Sequence, residues 1–407
     1  MSVERDYLTM KKKTIFLLWL FLLLPGTAIM VAIPVHSPES EDKPPIHIVS
    51  RVVDSRTGEY LPFASVYING QNSTITNAEG EFVIDADSTD MLRFSYVGYL
   101  TAYVPAKSIG NVVKLKTQGK MLDEVVVFGT DYIIQKVMER QKKEYKKHKR
   151  KKSNFFYRQV GYTDRQCNSF LEAFFSARVA YQLSDLSLVT GRYVAVASLR
   201  TINPANFFTF AEVPIFSSEK NIPFSNQLVP LHRGYDRAYK TDKEVISDGE
   251  RKIYVLYFVP RNSKRWAITC RIYVDAETFQ VLKYEGVGDG EMVIHMVMKR
   301  GVVCPISHSF VIDFQHENGF TEVRSVHFET KYEADNHTFK TTGILFNVVD
   351  RYVKGKKSLH FDDNLMNIIG THGLDKDFWQ KNEIVKRTPI EEEAIEIFER
   401  DNLFGVY

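Results

Sequence analysis

"LPFASVYINGQNSTITNAEGEF", Leu61 to Phe82, decides how the front of this chain folds. Apolar residues alternate on both flanks, the period of a half-buried strand. Gly, Asn and Ser crowd the middle, where they serve the positive φ values and side-chain-to-backbone bonds of tight turns. Nothing in the stretch looks catalytic. It predicts strand, turn, strand, turn and strand. Working outward, "IHIVSRVVD" starts at Ile46, "DMLRFSYVGYLTAYV" at Asp90 and "NVVKLK" at Asn111, with "DSRTGE" a further turn. Short strands at this spacing predict a small β-sandwich over residues 46–118.

The whole chain, at 407 residues, has room for two or three domains. Hydrophobic residues make up 44% and aromatics 13%, which excludes wholesale disorder and leans towards sheet. A net charge of +3 is too small to imply a nucleic-acid binder. Cys167, Cys270 and Cys304 lack CxxC spacing, so neither a zinc site nor a disulfide framework is expected. One bridge with one free thiol, or three free thiols, both fit.

Lys11, Lys12 and Lys13 precede an apolar run from Thr14 to Ile33, the pattern of a secretory signal or an uncleaved signal anchor over residues 1–33. Pro25 and Gly26 inside the run favour the signal. A polar, Pro-rich tether follows over 34–45. The expected location is outside the cytoplasm, in the periplasm or at the outer membrane.

Val52, Asp54, Thr57-Gly58, Leu61-Pro62, Ala64 and Val66, then Thr76, Gly80 and Phe82, then "LRFSYVGY" and "LDEVVV", stand in the order of a known family. The segment resembles the carboxypeptidase regulatory-like domain, a transthyretin-like sandwich of Bacteroidota envelope proteins. Ser50 and Asn77 replace that family's more frequent Gly and Asp. The resemblance does not imply a peptidase. The H-x-x-E of "HSPE", His36 to Glu39, lies in the tether beside a Pro, and H-E-x-x-H, G-x-S-x-G, Walker A and G-x-G-x-x-G motifs are missing from the sequence. No catalytic residue, metal or cofactor is expected.

After a linker at 119–130, residues 131–152 predict a helix with Asp131 as cap and an apolar stripe of Ile133, Ile134, Val137, Met138 and Tyr145. Its basic end collects Lys142, Lys143, Lys146, Lys147, Lys149, Arg150, Lys151 and Lys152. These are either a solvated helix terminus or a patch for an anionic surface.

Residues 153–360 predict a large antiparallel β-rich module of about eight to ten strands, as a curved sheet or half-barrel with one face buried. "TINPANFFTFAEVPIFSSEKNIPFSNQLVPLHRGYD", Thr201 to Asp236, breaks the rhythm as an excursion. "IYVDAETFQVLKYEG" resembles the β-rich region, of unassigned function, that Bacteroidota proteins join to this sandwich. It is also similar to the half-barrel of lipoprotein carriers, which implies an apolar hollow as the alternative to a filled core. His295, His308, His316 and His327 fall on successive strands, where alternation scatters them rather than building a metal site.

Residues 361–407 form a closing segment. Phe378 and Trp379 are expected anchors. Thr388, Pro389 and Glu391 make a capping box, followed by a stripe of Ile390, Ala394, Ile397 and Phe398. The fold class is therefore mainly β, a transthyretin-like sandwich ahead of a large antiparallel module. The expected function is non-catalytic binding or scaffolding in the cell envelope. A lipid- or glycan-binding carrier or receptor using a curved-sheet pocket is the alternative, and an unrecognised hydrolase a third. The expected partner is an envelope protein, a lipid or a glycan, with membrane association if the anchor is retained, and not nucleic acid.

Overall fold

The quoted stretch forms strands and turns where its alternation and its polar residues place them. The computed structural model describes residues 45–406 other than 69–71, 118–127, 148–150, 180–182, 196–229, 249–250, 262–267, 290–305, 318, 335, 349–351, 360–364, 373–374, 382–384 and 401–404. The signal and nearly all of the tether lie outside the described residues. Ile46–Asp54 (β1) is followed by Ser65–Ile68 (β2), which pairs antiparallel with Asn72–Ile75 (β3), and by Glu81–Ala86 (β4). At the turn between β3 and β4, the buried Thr76 hydroxyl donates to the Leu61 carbonyl at 2.6 Å and accepts the Ala64 amide at 2.8 Å. Asn77 Oδ1 accepts the Glu79 and Glu81 amides, both at 2.9 Å, closing an Asx turn. Gly80 adopts φ +74°, and a Cβ there would meet the Val52 carbonyl oxygen at 2.7 Å. The small polar positions supply the hydrogen bonds that the reversing backbone cannot.

Met91–Ser95 (β5), Ala102–Pro105 (β6) and Val112–Leu115 (β7) complete two sheets, in the orders β4-β1-β7 and β3-β2-β5-β6. Val52, Ala64, Val66, Phe82, Phe94 and Leu115 fill the space between them. Asp54 Oδ1 accepts the Arg56 and Thr57 amides, and the Tyr99 hydroxyl donates to Oδ2 at 2.8 Å. Those bonds, the two amides foremost, hold the Asp54 carboxyl below its usual range.

Residues Pro44–Tyr407 make one compact unit. After the sandwich, Thr130–Lys147 (α1) buries Ile133, Ile134 and Val137. The helix begins one residue before the expected cap, so Asp131 sits in its first turn and accepts a bond from the Tyr235 hydroxyl at 2.7 Å. A large antiparallel sheet follows: Lys152–Thr163 (β8), Gln166–Val179 (β9), Leu183–Ala195 (β10), Tyr239–Asp248 (β11), Arg251–Pro260 (β12), Thr269–Asp275 (β13), Val281–Asp289 (β14), Ile306–Glu317 (β15), Phe320–Ala334 (β16) and His337–Val348 (β17). The order across the sheet is β11-β12-β13-β14-β15-β16-β17-β8-β9-β10. The chain enters at β8, runs out to β10, reaches the far edge at β11 and meanders back until β17 pairs with β8. Most of the Thr201–Asp236 excursion, which makes that crossing, lies outside the described residues.

Each edge is managed. Lys357–Ser358 (β18) and Gly405–Val406 (β19) both pair with β10. At the other edge β11 reads "YKTDKEVISD". It is a strand the sequence pattern hid, because Thr241, Lys243 and Ser247 share its inward row with Tyr239 and Val245. The charges of the other row, Lys240, Asp242 and Glu244, discourage a second chain from pairing there.

The sheet was expected to bury one face, but its centre is buried on both. Asn154 to Gly161 are buried without a break along β8. One face packs α1 and Leu365–His372 (α2) against Tyr157, Phe175, Leu256 and Ile272. The opposite face, over β8 and β9, receives Ile75 of the sandwich and Trp379 of Lys376–Lys381 (α3), which meet Phe156 and Phe174.

Pro389–Arg400 (α4) covers Val160 and Phe170 through Ala394 and Ile395. Its capping box is formed: the Thr388 amide donates to Glu391 Oε2 at 2.8 Å, and the Glu391 amide to Thr388 Oγ1 at 3.3 Å. Of the expected stripe, Ala394 is buried and the side chains of Ile390 and Phe398 lie outside the described residues. Ile397 is 37% exposed, and Ile395 is buried beside Ala394 instead. Thr388→Ala is expected to cost about 1 kcal/mol through loss of the cap, read as a small drop in thermal midpoint.

Candidate functional site: a cleft between sandwich and sheet

The sandwich is fastened to the sheet at named points. Glu81 accepts from Arg51 at 2.6 Å within the sandwich and from Lys386 of the closing segment at 2.9 Å. Phe63, with φ +62°, stacks on His327 of β16 with ring centres 3.9 Å apart. Asn77 Nδ2 reaches the Arg387 carbonyl at 3.5 Å, a bond that the family's usual Asp could not donate.

Under the closing segment lies a buried ionic cluster. Arg158 Nε donates to Glu172 Oε1 at 2.9 Å, and its Nη2 to the Val385 carbonyl at 2.6 Å. Arg192 donates Nε to Glu172 Oε2 at 2.7 Å and Nη2 to the same oxygen. Arg387 joins at 3.3 Å, and Glu391 faces Arg158 at 3.4 Å. Burial would push the Glu172 carboxyl up, but the Arg158, Arg192 and Arg387 guanidiniums overrule it and hold it at about 2.

Between the remaining sandwich surface and strands β12–β16 opens a cleft of about 500 Å3. One wall is the outward face of β2, β5 and β6. There Tyr67, Arg93 and Tyr103 stand side by side, because Arg93 is the cross-strand partner of both tyrosines. The floor includes Gln280, Leu282, Asp313, Gln315, His316 and Arg324.

Arg324 sits in the cleft through a break in register. Asp313 pairs with Ser325 and Phe314 with Val323, leaving Arg324 as the extra residue of a β-bulge. Bulges re-aim side chains in this way. Its guanidinium lies 3.8 Å over the Tyr67 ring centre, while the Arg93 guanidinium stands 4.4 Å from the same ring. Arg324 is 5% exposed, and its Nε and Nη2 have no hydrogen-bond partner among the described residues. Burial lowers it to about 9, so it stays charged at neutral pH.

The neighbouring charges are occupied. Lys283 is the cross-strand partner of Asp313 and donates to Glu285 at 3.0 Å. Burial opposes the Lys283 charge, yet Asp313 and Glu285 raise its pKa above the ordinary lysine value. Burial in turn raises the Asp313 carboxyl, against the pull of Lys283. Arg251 is bound to Asp275 at 2.5 Å.

The expected basic patch is placed elsewhere. Lys142, Lys143 and Lys147 are exposed on α1, and Lys152 is exposed at the start of β8. Lys151 is half-buried and paired with Glu322 at 2.9 Å, so it is anchored in the fold. Lys149, Arg150 and the side chain of Lys146 lie outside the described residues. The histidines scatter by alternation. His308 packs beside Phe310 and Phe328 and bonds Thr330, His327 faces the sandwich, and His316 bonds the Val281 carbonyl at 2.9 Å. His295 lies outside the described residues. Cys167 and Cys270 are free thiols. Among the described residues, no helix is long and apolar enough to cross a membrane.

Sequence reasoning missed Arg324 and the cleft. The alternating polar face of "SVYI" and "MLRFS" was the available signal for the wall, but a bulge leaves no mark in composition or period.

Residues 50–127 match the family model of the CarboxypepD_reg-like domain. The chain is 37% identical over 82 residues to the TonB-dependent receptor SusC of Bacteroides thetaiotaomicron. It is 39% identical over 83 residues to the TonB-dependent receptor P26 of Formosa agariphila. Each match covers 20% of this chain and spans only 8% of the relative's length. Among solved structures, a LolA superfamily protein of Nitrosomonas europaea aligns over 56% of this chain and 96% of its own, at 8% identity and a TM-score of 0.22. A putative outer membrane lipoprotein-sorting protein domain of Vibrio parahaemolyticus aligns over 59% and 99%, at 9% identity and a TM-score of 0.26. Superpositions that loose carry no functional argument.

Proposed function

We propose, for a chain whose residues 50–127 are a CarboxypepD_reg-like domain, a non-catalytic binding role in the cell envelope, with the ligand held between the sandwich and the large sheet. The observation that carries this reading is the cleft. Both modules line it, its volume of about 500 Å3 suits a small ligand, and half-buried contacts hold its walls together. A wall fixed by Glu81, Lys386 and Phe63 is preorganised, which lowers the ordering cost of binding. The envelope location rests on the Lys-led apolar run and on the likeness of the sandwich to segments of TonB-dependent receptors.

Of the ligand classes open to such a protein, the lining favours a glycan over an acyl chain. Ser65, Ser95, Thr101, Gln280 and Gln315 offer hydroxyl and amide groups, and the exposed Tyr103 offers a ring face on which a sugar can lie. The helix-bearing face of the sheet, where an apolar hollow would suit a lipid, packs the side chains of α1 and α2 instead across its described residues. The basic residues Lys142, Lys143 and Lys147 would then add attraction to an anionic envelope surface.

Filling the cleft tests this reading. Ser95→Trp, opposite Ser65 on the wall, is expected to abolish saccharide-dependent thermal stabilisation while leaving the unliganded midpoint nearly unchanged. Cell fractionation should recover the protein with the envelope. Saccharide binding that survives Ser95→Trp, or full-length protein in the soluble cytoplasm, would overturn it.

A further inference from the structure

We infer that Arg324 is the anion-binding centre of this cleft and that the ligand is an oxyanion-bearing saccharide. The inference rests on the cleft being a binding site and adds what the site selects. Its first support is a contrast within the chain. Arg158, buried to the same degree on the same side of the sheet, is bonded to Glu172, to the Val385 and Lys386 carbonyls and to Glu391. The fold therefore supplies carboxylate and carbonyl partners where it buries a guanidinium for structure. At Arg324 it supplies ring faces, Tyr67 at 3.8 Å and Phe346 at 5.8 Å, and no hydrogen-bond acceptor for Nε or Nη2 among the described residues. A buried charge with open donors is costly unless a partner arrives.

The second support is how the charge is held. Nε and Nη2 are enclosed and unbonded among the described residues, so the fold leaves the charge they share uncompensated beneath the cleft. Nη1 is not among the enclosed atoms and is the donor that a ligand in the cleft can reach. Stacking on Tyr67 fixes the plane of the guanidinium, so that donor is already oriented.

The third support is the surrounding charge. Arg93, exposed on the opposite wall and also against Tyr67, is a second cation with no carboxylate bound to it among the described residues. Asp313, the acidic group of the floor, faces Lys283 across the strand pair and accepts from Ser325 at 3.3 Å. The cleft thus presents two guanidiniums to a ligand, while its carboxylate is already balanced. Hydroxyls of Ser65 and Ser95 and the amides of Gln280 and Gln315 suit a hydroxyl-rich body.

Titration calorimetry of the full chain with glucuronate, glucose and glucose 6-phosphate tests the inference, using wild type, Arg324→Met, Arg324→Lys and Ser95→Trp. Glucuronate is expected to bind about 10- to 100-fold tighter than glucose, and to lose that advantage in Arg324→Met. Arg324→Lys should recover only part of it, because an ammonium keeps the charge but not the planar stack on Tyr67 that orients it. Added salt should weaken glucuronate binding and leave glucose binding unchanged. Arg324→Met should match or exceed the wild-type thermal midpoint without ligand, since an apolar side chain of similar length replaces a buried charge. Tighter binding of glucose 6-phosphate than of glucuronate would keep the oxyanion centre and assign phosphate as its source. Glucose binding as tightly as both acids and blocked by Ser95→Trp alone would sink the anion centre but keep the cleft. Acid binding indifferent to both Arg324→Met and Ser95→Trp would remove both, as would no measurable binding of any of the three.

Discussion

Glu172→Ala is expected to destabilise the fold by about 3–5 kcal/mol, the cost of leaving a buried guanidinium without its carboxylate. Glu172 is 1% exposed and lies among Arg158, Arg192 and Arg387, drawn from two neighbouring strands and the closing segment. Without it, Arg158 keeps two carbonyls and a more distant Glu391, while Arg192 and Arg387 lose their common acceptor. Acid should reproduce the loss in the wild type. The folded carboxyl is held at about 2, below the roughly 4.3 of an unfolded glutamate. Its stabilisation is therefore complete above pH 4.5 or so and lost as pH falls towards 2. Urea midpoints followed from pH 7 to pH 2 should drop steeply over that window in the wild type and more gently in Glu172→Ala. Superimposable pH profiles would show that the cluster contributes nothing net.

Trp379→Ala should cost a similar amount, about 3–5 kcal/mol, by a different route. Its indole is 7% exposed, meets Phe156 and Phe378 edge-on at centroid distances of 6.4 and 5.2 Å, and lies 4.5 Å under the Arg192 guanidinium. Nε1 has no hydrogen-bond partner among the described residues, so truncation removes packing and cation–π attraction there and no hydrogen bond. Trp379→Phe should therefore recover most of the loss. Because Arg192 touches both Trp379 and Glu172, the double variant should fall short of the sum of its singles. Thermal unfolding of all three variants decides this. An unchanged midpoint in Trp379→Ala would mean that the closing segment does not hold the sheet.

Much of the fold was legible because it rests on short-range signals. The turns of Asp54, Thr76 to Gly80 and the Thr388–Glu391 capping box each involve residues a few positions apart, and all formed as their spacing implies. Nine of the ten long strands β8–β17 and a buried Trp379 likewise followed from alternation and from the preference of aromatic residues for cores. What escaped depends on partners distant in sequence. β11 was hidden because an edge strand tolerates polar residues in its inward row, and whether a strand is an edge is decided by sheet order. The two-sided burial of β8 required knowing that the sandwich and α4 return to cover it. Ile397 was assigned inward from an amphipathic pattern that two neighbouring stripes satisfy about equally. Arg324 is a charged residue in a strand that period-2 reading would send to solvent, and only the bulge and the docked sandwich turn it into a buried, open-handed cation.

The ionic cluster also bears on how the chain reaches this state. Glu172 meets Arg158 and Arg192 within one meander of strands, yet Arg387 lies 215 positions further along the sequence. Until that distant segment arrives, the β8–β10 unit has two guanidiniums around one carboxylate and uncovered aromatics on one face. Topologies closed by such remote contacts have high contact order and fold slowly. Docking of the closing segment is therefore a long-range closure that local strand pairing cannot supply, and it is the contact that completes the shell of cations around Glu172.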